Sequence, residues 1–275
     1  RTPDLAMPSG VSNRYLSLGF NSDSVLSSSD STSGLSESGT ITLQVTGGIG
    51  GAGYAENFHA SQNNYIQFET GSFQPTLDGK SRTYIAWYKG SDQTQKEDLG
   101  DAESCAVPVF GDPTLFSTMG LGLQDGKIAV CNKGKGARGV TDLTDGEWHM
   151  LAWVFDSGNT CGGVTATRMY AGDLAGNFGL EKEHCTTYDC QYTTWLTNTY
   201  CTLDRIGVGH PSQQSPSALD GIQIYEVALT EAQLEEIYDT GLNTFAAAMG
   251  GVGIVPTTIF SNELFCGKKF GAGGA

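Results

Sequence analysis

Apolar and polar positions alternate with a period of two along much of this chain, the signature of strands with one covered face. Tyr15-Leu16-Ser17-Leu18-Gly19-Phe20 predicts a first strand. Thr40-Ile41-Thr42-Leu43-Gln44-Val45 and Asn64-Tyr65-Ile66-Gln67-Phe68 follow the same pattern. Thr83-Tyr84-Ile85-Ala86-Trp87-Tyr88 is apolar at nearly every position and predicts a central strand covered on both sides. Two short apolar runs flank Gln124-Asp125-Gly126-Lys127, an Asp-Gly hairpin turn. After a turn at Asp145-Gly146 comes the strongest strand, Trp148 to Asp156. One of its faces carries Trp148, Met150, Ala152 and Val154, the other Leu151, Trp153 and Phe155. Such a strand belongs between packed layers, and both tryptophans are expected in the core between two sheets.

One segment has helical character, Thr230 to Tyr238. Thr230 is its N-cap, Gln233 completes a capping box, and Leu229 and Leu234 form a hydrophobic staple. Leu234, Ile237 and Tyr238 make the apolar stripe, and Gly241 is the stop signal. Three stretches break the alternation. Residues 22–38 hold nine serines in seventeen positions and predict a solvated loop. Residues 157–202 read as a long, threonine-rich insertion carrying Cys161, Cys185, Cys190 and Cys201. Residues 244–275 form a Gly/Ala-rich apolar tail. The organisation is therefore an N-terminal extension (1–13), one sandwich domain (14–243) and the tail (244–275). The fold class is all-β: an antiparallel β-sandwich with one short C-terminal helix and an extended tail.

Specific residues narrow this further. Gly53-Tyr54-Ala55-Glu56-Asn57-Phe58, Asp145-Gly146-Glu147-Trp148-His149-Met150 and Arg205-Ile206-Gly207-Val208-Gly209 stand in order. They are followed by Leu219-Asp220-Gly221-Ile222-Gln223-Ile224-Tyr225, next to the capped helix. Together they resemble the laminin-G-like, concanavalin A-like jelly rolls of lectins and glucanases over about residues 14–242. The resemblance implies that the last strand lies beside the first. It also implies a structural Ca²⁺ at that junction, held here by Asp220 with Asn21 and Asp23. The second aspartate of the family's pair is replaced by Gly221, and the alternative is that Asp220 caps a turn with that glycine. Oxygen donors of this kind suit calcium.

Composition changes the picture in two ways. Thirty acidic against fifteen basic residues give a net charge of −15 over 275 residues, which excludes a nucleic-acid partner and disfavours anionic membranes. No apolar run approaches the roughly 18 residues of a membrane span. Seven cysteines (Cys105, Cys131, Cys161, Cys185, Cys190, Cys201, Cys266) show neither metal nor C-x-x-C spacing. They predict disulfides in an extracellular chain, with buried thiols as the alternative, and the odd count leaves one thiol free or paired between chains. The start at Arg1, with no leader before it, reads as a processed chain or an excised fragment.

Catalysis is not predicted. The E-x-D-x-x-E pattern of the glucanase relatives is absent, and Glu97, Asp98, Asp101 and Glu103 read as a charged loop. No G-x-S-x-G turn occurs, and His59, His149, His184 and His210 lack zinc spacing. His149 reads as a packed or hydrogen-bonded core histidine. Gly48-x-Gly50-x-x-Gly53 and Gly134-x-Gly136-x-x-Gly139 lie between strands and read as hairpin or bulge glycines rather than a nucleotide loop. Tyr192, Trp195 and Tyr200 are candidate sugar-stacking aromatics, or else the seal of a small core around disulfides. The expected function is an extracellular structural module that self-assembles with other copies through its tail. The alternative is a carbohydrate-binding or adhesive module whose partners are glycans or extracellular matrix proteins. Glycoside hydrolysis ranks last.

Overall fold

A strand apolar on both faces needs a covering layer on each side, and the central strands here have one. The computed structural model describes residues 7–20, 35–44, 48–49, 53–60, 63–68, 80–91, 107–111, 120–131, 136–161, 164–185, 203, 205–207 and 216–248. The early strands are β1 (Arg14–Leu18), β2 (Leu35–Ser38), β3 (Thr42–Gln44), β4 (Tyr54–Phe58), β5 (Tyr65–Phe68) and β6 (Arg82–Ser91). Next come β7 (Val107–Phe110), β8 (Gly120–Gln124), β9 (Lys127–Cys131), β10 (Ala137–Arg138) and β11 (Asp145–Cys161). The chain ends in β12 (Val164–Gly172), β13 (Phe178–Cys185), β14 (Arg205–Ile206), β15 (Ser217–Tyr225) and helix α1 (Glu231–Ala248). The larger sheet runs β13-β12-β11-β6-β15-β4-β3, with β1 also on β15, and the smaller runs β10-β9-β8-β7-β14-β5-β2. All the pairings are antiparallel, so the fold is the expected β-sandwich.

The inner face of the larger sheet packs Tyr84, Leu151, Trp153, Phe155, Leu219 and Ile224 against Phe110, Leu121 and Val130 of the smaller one. Trp153 sets the distance between the layers. Its ring meets Phe110 edge-on at 6.0 Å, and its Nε1 donates to the Ala129 carbonyl of β9 at 3.0 Å. The outer face of the same sheet is equally apolar. Ile85, Trp87, Met150, Val154 and Tyr225 lie under Leu234, Ile237, Tyr238 and Leu242 of α1, with Ile49 beside them. Trp87 stacks on Tyr238 at 5.9 Å. Trp148 belongs to this outer layer, edge-on to Tyr54, and not to the core between the sheets. It stands five positions from Trp153, and an odd separation along a strand puts two side chains on opposite faces.

The capping box forms as predicted: Thr230 N donates to Gln233 Oε1 at 3.0 Å, and Gln233 N to Thr230 Oγ1 at 3.3 Å. The helix then runs on through Gly241 to Ala248, five residues beyond the expected domain end. Gly241 is a contact glycine rather than a cap, because a Cβ there would stand 2.7 Å from Cζ2 of Trp87. Two other expectations change. The stretch read as an insertion from 157 contains the end of β11 and all of β12 and β13, and Leu35–Ser38 of the serine-rich loop is strand β2. Residues 186–202, the serines of 22–34 and the tail from 249 lie outside the described residues.

Cys131, at the end of β9, and Cys185, at the end of β13, are each disulfide-bonded. Cys161 ends β11. Cys105, Cys190, Cys201 and Cys266 lie outside the described residues. A polar latch also joins the two sheets near this margin. Glu181 of β13 accepts from Val140 N (2.8 Å), Thr141 N (2.9 Å) and Thr141 Oγ1 (2.5 Å), just past β10. Burial pushes the Glu181 carboxyl up, and these hydrogen bonds outweigh it and hold the group below its ordinary value. Among the described residues no helix is long and apolar enough to cross a membrane.

Candidate binding site

Outer positions on β6 recur every second residue: Ile85, Trp87, then Lys89. The first two lie under α1, and the third lies beside a cavity of about 310 Å³. Lys89 pairs with Trp148 of β11 on one side and Ala218 of β15 on the other, so three strands deliver residues to one place. Glu56 comes from β4, Gly146 from β11, and Ser91 and Ser217 complete the polar lining. Two glycines shape the walls. Gly146, at φ 82, occupies a bulge where the register shifts between Asp145 and Trp148. A Cβ on Gly90 would stand 2.0 Å from the buried Tyr88 hydroxyl oxygen. The volume is at the small end of the roughly 300–1,000 Å³ range of ligand clefts.

The lining is polar and partly committed. Glu56 accepts from Tyr54 Oη at 2.8 Å and from Gln44 Nε2 at 2.7 Å. Burial, then the hydrogen bond and charge of Glu56, push the Tyr54 hydroxyl up to about 12, so it remains a neutral donor. Ser217 Oγ lies 2.5 Å from Nδ1 of His59, a buried residue held at φ 61. The separation of 158 positions hides this contact from any sequence pattern. Lys89 is half-buried and forms no ion pair with a described residue.

One repeat further along β15, Asp220 lies under the connection from β3 to β4. It is fully buried, opposite Trp87. Its Oδ1 accepts from Gly221 N at 2.7 Å, and Gly221 sits at φ 52 in a register shift between Asp220 and Gln223. The pair therefore sits at a bulge inside β15, not at the turn expected of it. The neighbours are backbone oxygens and glycines. A Cβ on Gly48 would stand 2.6 Å from Asp220 Oδ2 and 1.9 Å from the Gly53 carbonyl oxygen. A Cβ on Gly53 would stand 2.5 Å from the Phe20 carbonyl and 2.6 Å from that of Gln44. Gly48 and Gly53 are thus close-approach glycines, a role distinct from the hairpin or bulge glycines expected between strands. The expected junction is present, since β1 pairs with β15 from Leu18↔Ile222 to Arg14↔Tyr225.

The remaining candidates divide simply. Asn21, Asp23, Tyr192, Trp195, Tyr200, the acidic loop at 97–103 and His210 lie outside the described residues. His149 is buried, and its Nε2 lies 2.8 Å from Asp145 Oδ1, so it is a hydrogen-bonded histidine. Burial pushes the Asp145 carboxyl up, but the His149 and Glu147 N–H contacts bring it below its ordinary value. Among the described residues no three His, Cys, Asp or Glu side chains gather into a metal cluster.

With this geometry in hand, comparison with known proteins separates fold from family. No family model matches the chain, and no curated protein matches it. Solved structures do share the sandwich. The binding domain of Paraclostridial Mosquitocidal Protein 1 superposes with a TM-score of 0.54 at 13% identity, over 83% of this chain and 52% of that one. The Botulinum Neurotoxin Type G receptor binding domain gives 0.51 at 12% identity, over 83% and 51%. Domain 4 of AbnA, a GH43 extracellular arabinanase from Geobacillus stearothermophilus solved in complex with arabinotriose, gives 0.52 at 16% identity. That match covers 82% of this chain and 99% of the arabinanase domain. The chain spans about half the length of the toxin domains it matches. At these identities the likeness is one of fold.

Proposed function

We propose that this chain is a non-enzymatic, laminin-G-like binding module that works outside the cell and takes a carbohydrate in the cavity beyond α1. The observation that carries this reading is the cavity's lining: a carboxylate, an ammonium group and two hydroxyls gather where the apolar outer face ends. Sugars are recognised through their hydroxyls, and this site offers fixed acceptors and donors. The arabinanase domain of like fold, solved with arabinotriose, supports a saccharide. The extracellular setting is supported by the disulfide-bonded Cys131 and Cys185. Most of the tail on which self-assembly would rest lies outside the described residues, and the solved structures of like fold are binding domains, so binding is the reading we carry.

The test is a glycan array with the full chain and with Ser91→Trp, which places an indole at the exposed margin of the cavity. The wild type is expected to bind a restricted set of glycans, and the variant to lose at least tenfold in affinity at unchanged melting temperature. A wild type that binds no glycan, or a variant that binds as before, overturns the proposal.

A second reading concerns Asp220. The buried Asp220 carboxylate and the Gly53 carbonyl both face the Gly48 position, and these are hard oxygen donors of the kind Ca²⁺ takes. Asn21 and Asp23, one and three positions after Phe20, would supply further oxygen donors. Bound calcium would neutralise the buried charge and fix the junction of β1, β4 and β15. Millimolar Ca²⁺ is then expected to raise the melting temperature relative to chelator, and Asp220→Asn to abolish the difference. Equal melting in both conditions counts against a site.

A further inference from the structure

Resting on the carbohydrate reading, we infer that the sugar is acidic and that Lys89 receives its anionic group. The described lysines form no ion pairs, and among them Lys89 is the one that is half-buried in the lining of the cavity. Lys89 is held in that state by its position. Its strand neighbours across the sheet are Trp148 and Ala218, neither of which carries a carboxylate to neutralise it. The nearby carboxylate, Glu56, has each oxygen engaged by another donor and lies beyond ion-pair distance. Among its described lining residues the cavity therefore contains one hydrogen-bonded carboxylate and one cation without an ion pair. In a half-buried site a charge interacts more strongly than in bulk water. A sugar carboxylate or sulfate seated there forms a charge-assisted hydrogen bond with Nζ. The ring hydroxyls then have the remaining lone pairs of Glu56 and the hydroxyls of Ser91 and Ser217 as partners. A neutral sugar leaves the ammonium without a counter-charge, so the site discriminates by charge as well as by shape.

The array above, printed with acidic and neutral glycans, provides the first readout. Hits are expected to be acidic, carboxylated and sulfated spots separating the two sources of the anion. Titration of trigalacturonate against its methyl ester then isolates charge at constant shape, with the acid binding at least about tenfold tighter. Lys89→Gln is expected to erase that difference, and Lys89→Arg to keep most of it. Neutral hits with Lys89→Gln unchanged overturn this inference and leave the carbohydrate reading intact. An array with no hits overturns both. A melting curve for each variant separates loss of binding from loss of fold.

Discussion

Trp153→Ala is expected to lower the unfolding free energy by about 3–5 kcal/mol, the range for removing a buried large aromatic. Total stability for a domain is about 5–15 kcal/mol, so the variant will be marginal at 37 °C. Three separate contributions disappear together. The indole is fully buried at the midline of the sandwich, so its removal leaves a cavity that both sheets are too rigid to close. The edge-on contact with Phe110 is lost, and Phe110 also carries the contact to Tyr84 at 5.3 Å. The Ala129 carbonyl loses its donor in a dry interior. Trp153→Phe separates these terms, since it keeps a ring and loses the donor, and it should cost about 1–3 kcal/mol. Urea unfolding followed by fluorescence measures both. An alanine variant within 1 kcal/mol of wild type would contradict the placement of Trp153 between the sheets.

The second large effect lies on the opposite face. Gly241→Leu is expected to destabilise by about 3 kcal/mol, at the upper end of the usual cost of overpacking. Helix propensity alone argues the other way, since glycine inside a helix costs about 1 kcal/mol relative to alanine. Contact geometry decides between the two. A Cβ meets Trp87 at 2.7 and 3.1 Å and Ile49 at 3.2 Å, and Trp87 is fully buried and stacked on Tyr238. The ring has nowhere to retreat, so the helix must lift. Dye binding to the uncovered outer face and faster proteolysis of α1 are the accompanying signs. If leucine at 241 stabilises the protein, propensity wins and the close packing of α1 is wrong.

These residues also show what the sequence makes legible. Strands with strict alternation, such as Tyr65–Phe68, and the Thr230/Gln233 cap are visible because their signals are local. β12 and β13 are not, for two reasons. Threonines at 165 and 167 read as loop, although Thr167 is fully buried within β12. β13 is a sheet-edge strand whose exposed Lys182 and Glu183 disguise it. Gly241 misleads because a stop glycine and a contact glycine look identical until the neighbour across the interface is known. The cavity was illegible for the same reason, since Glu56, Lys89, Gly146 and Ser217 meet only through strand pairing.

β15 holds partners on both sides: β6 along one edge, then β4 and β1 in succession along the other. This gives the larger sheet a seam that closes last during synthesis. Residues 14–18 find their place only when residues 222–225 arrive, more than 200 positions later. Until then β1, β4 and β6 each present an unpaired edge, and the nascent chain is open to wrong partners. The sandwich is thus a slow, high-contact-order folder whose N-terminal strand must wait for its C-terminal one. A chain that ends just before β15 keeps every earlier described strand and loses the one that joins them.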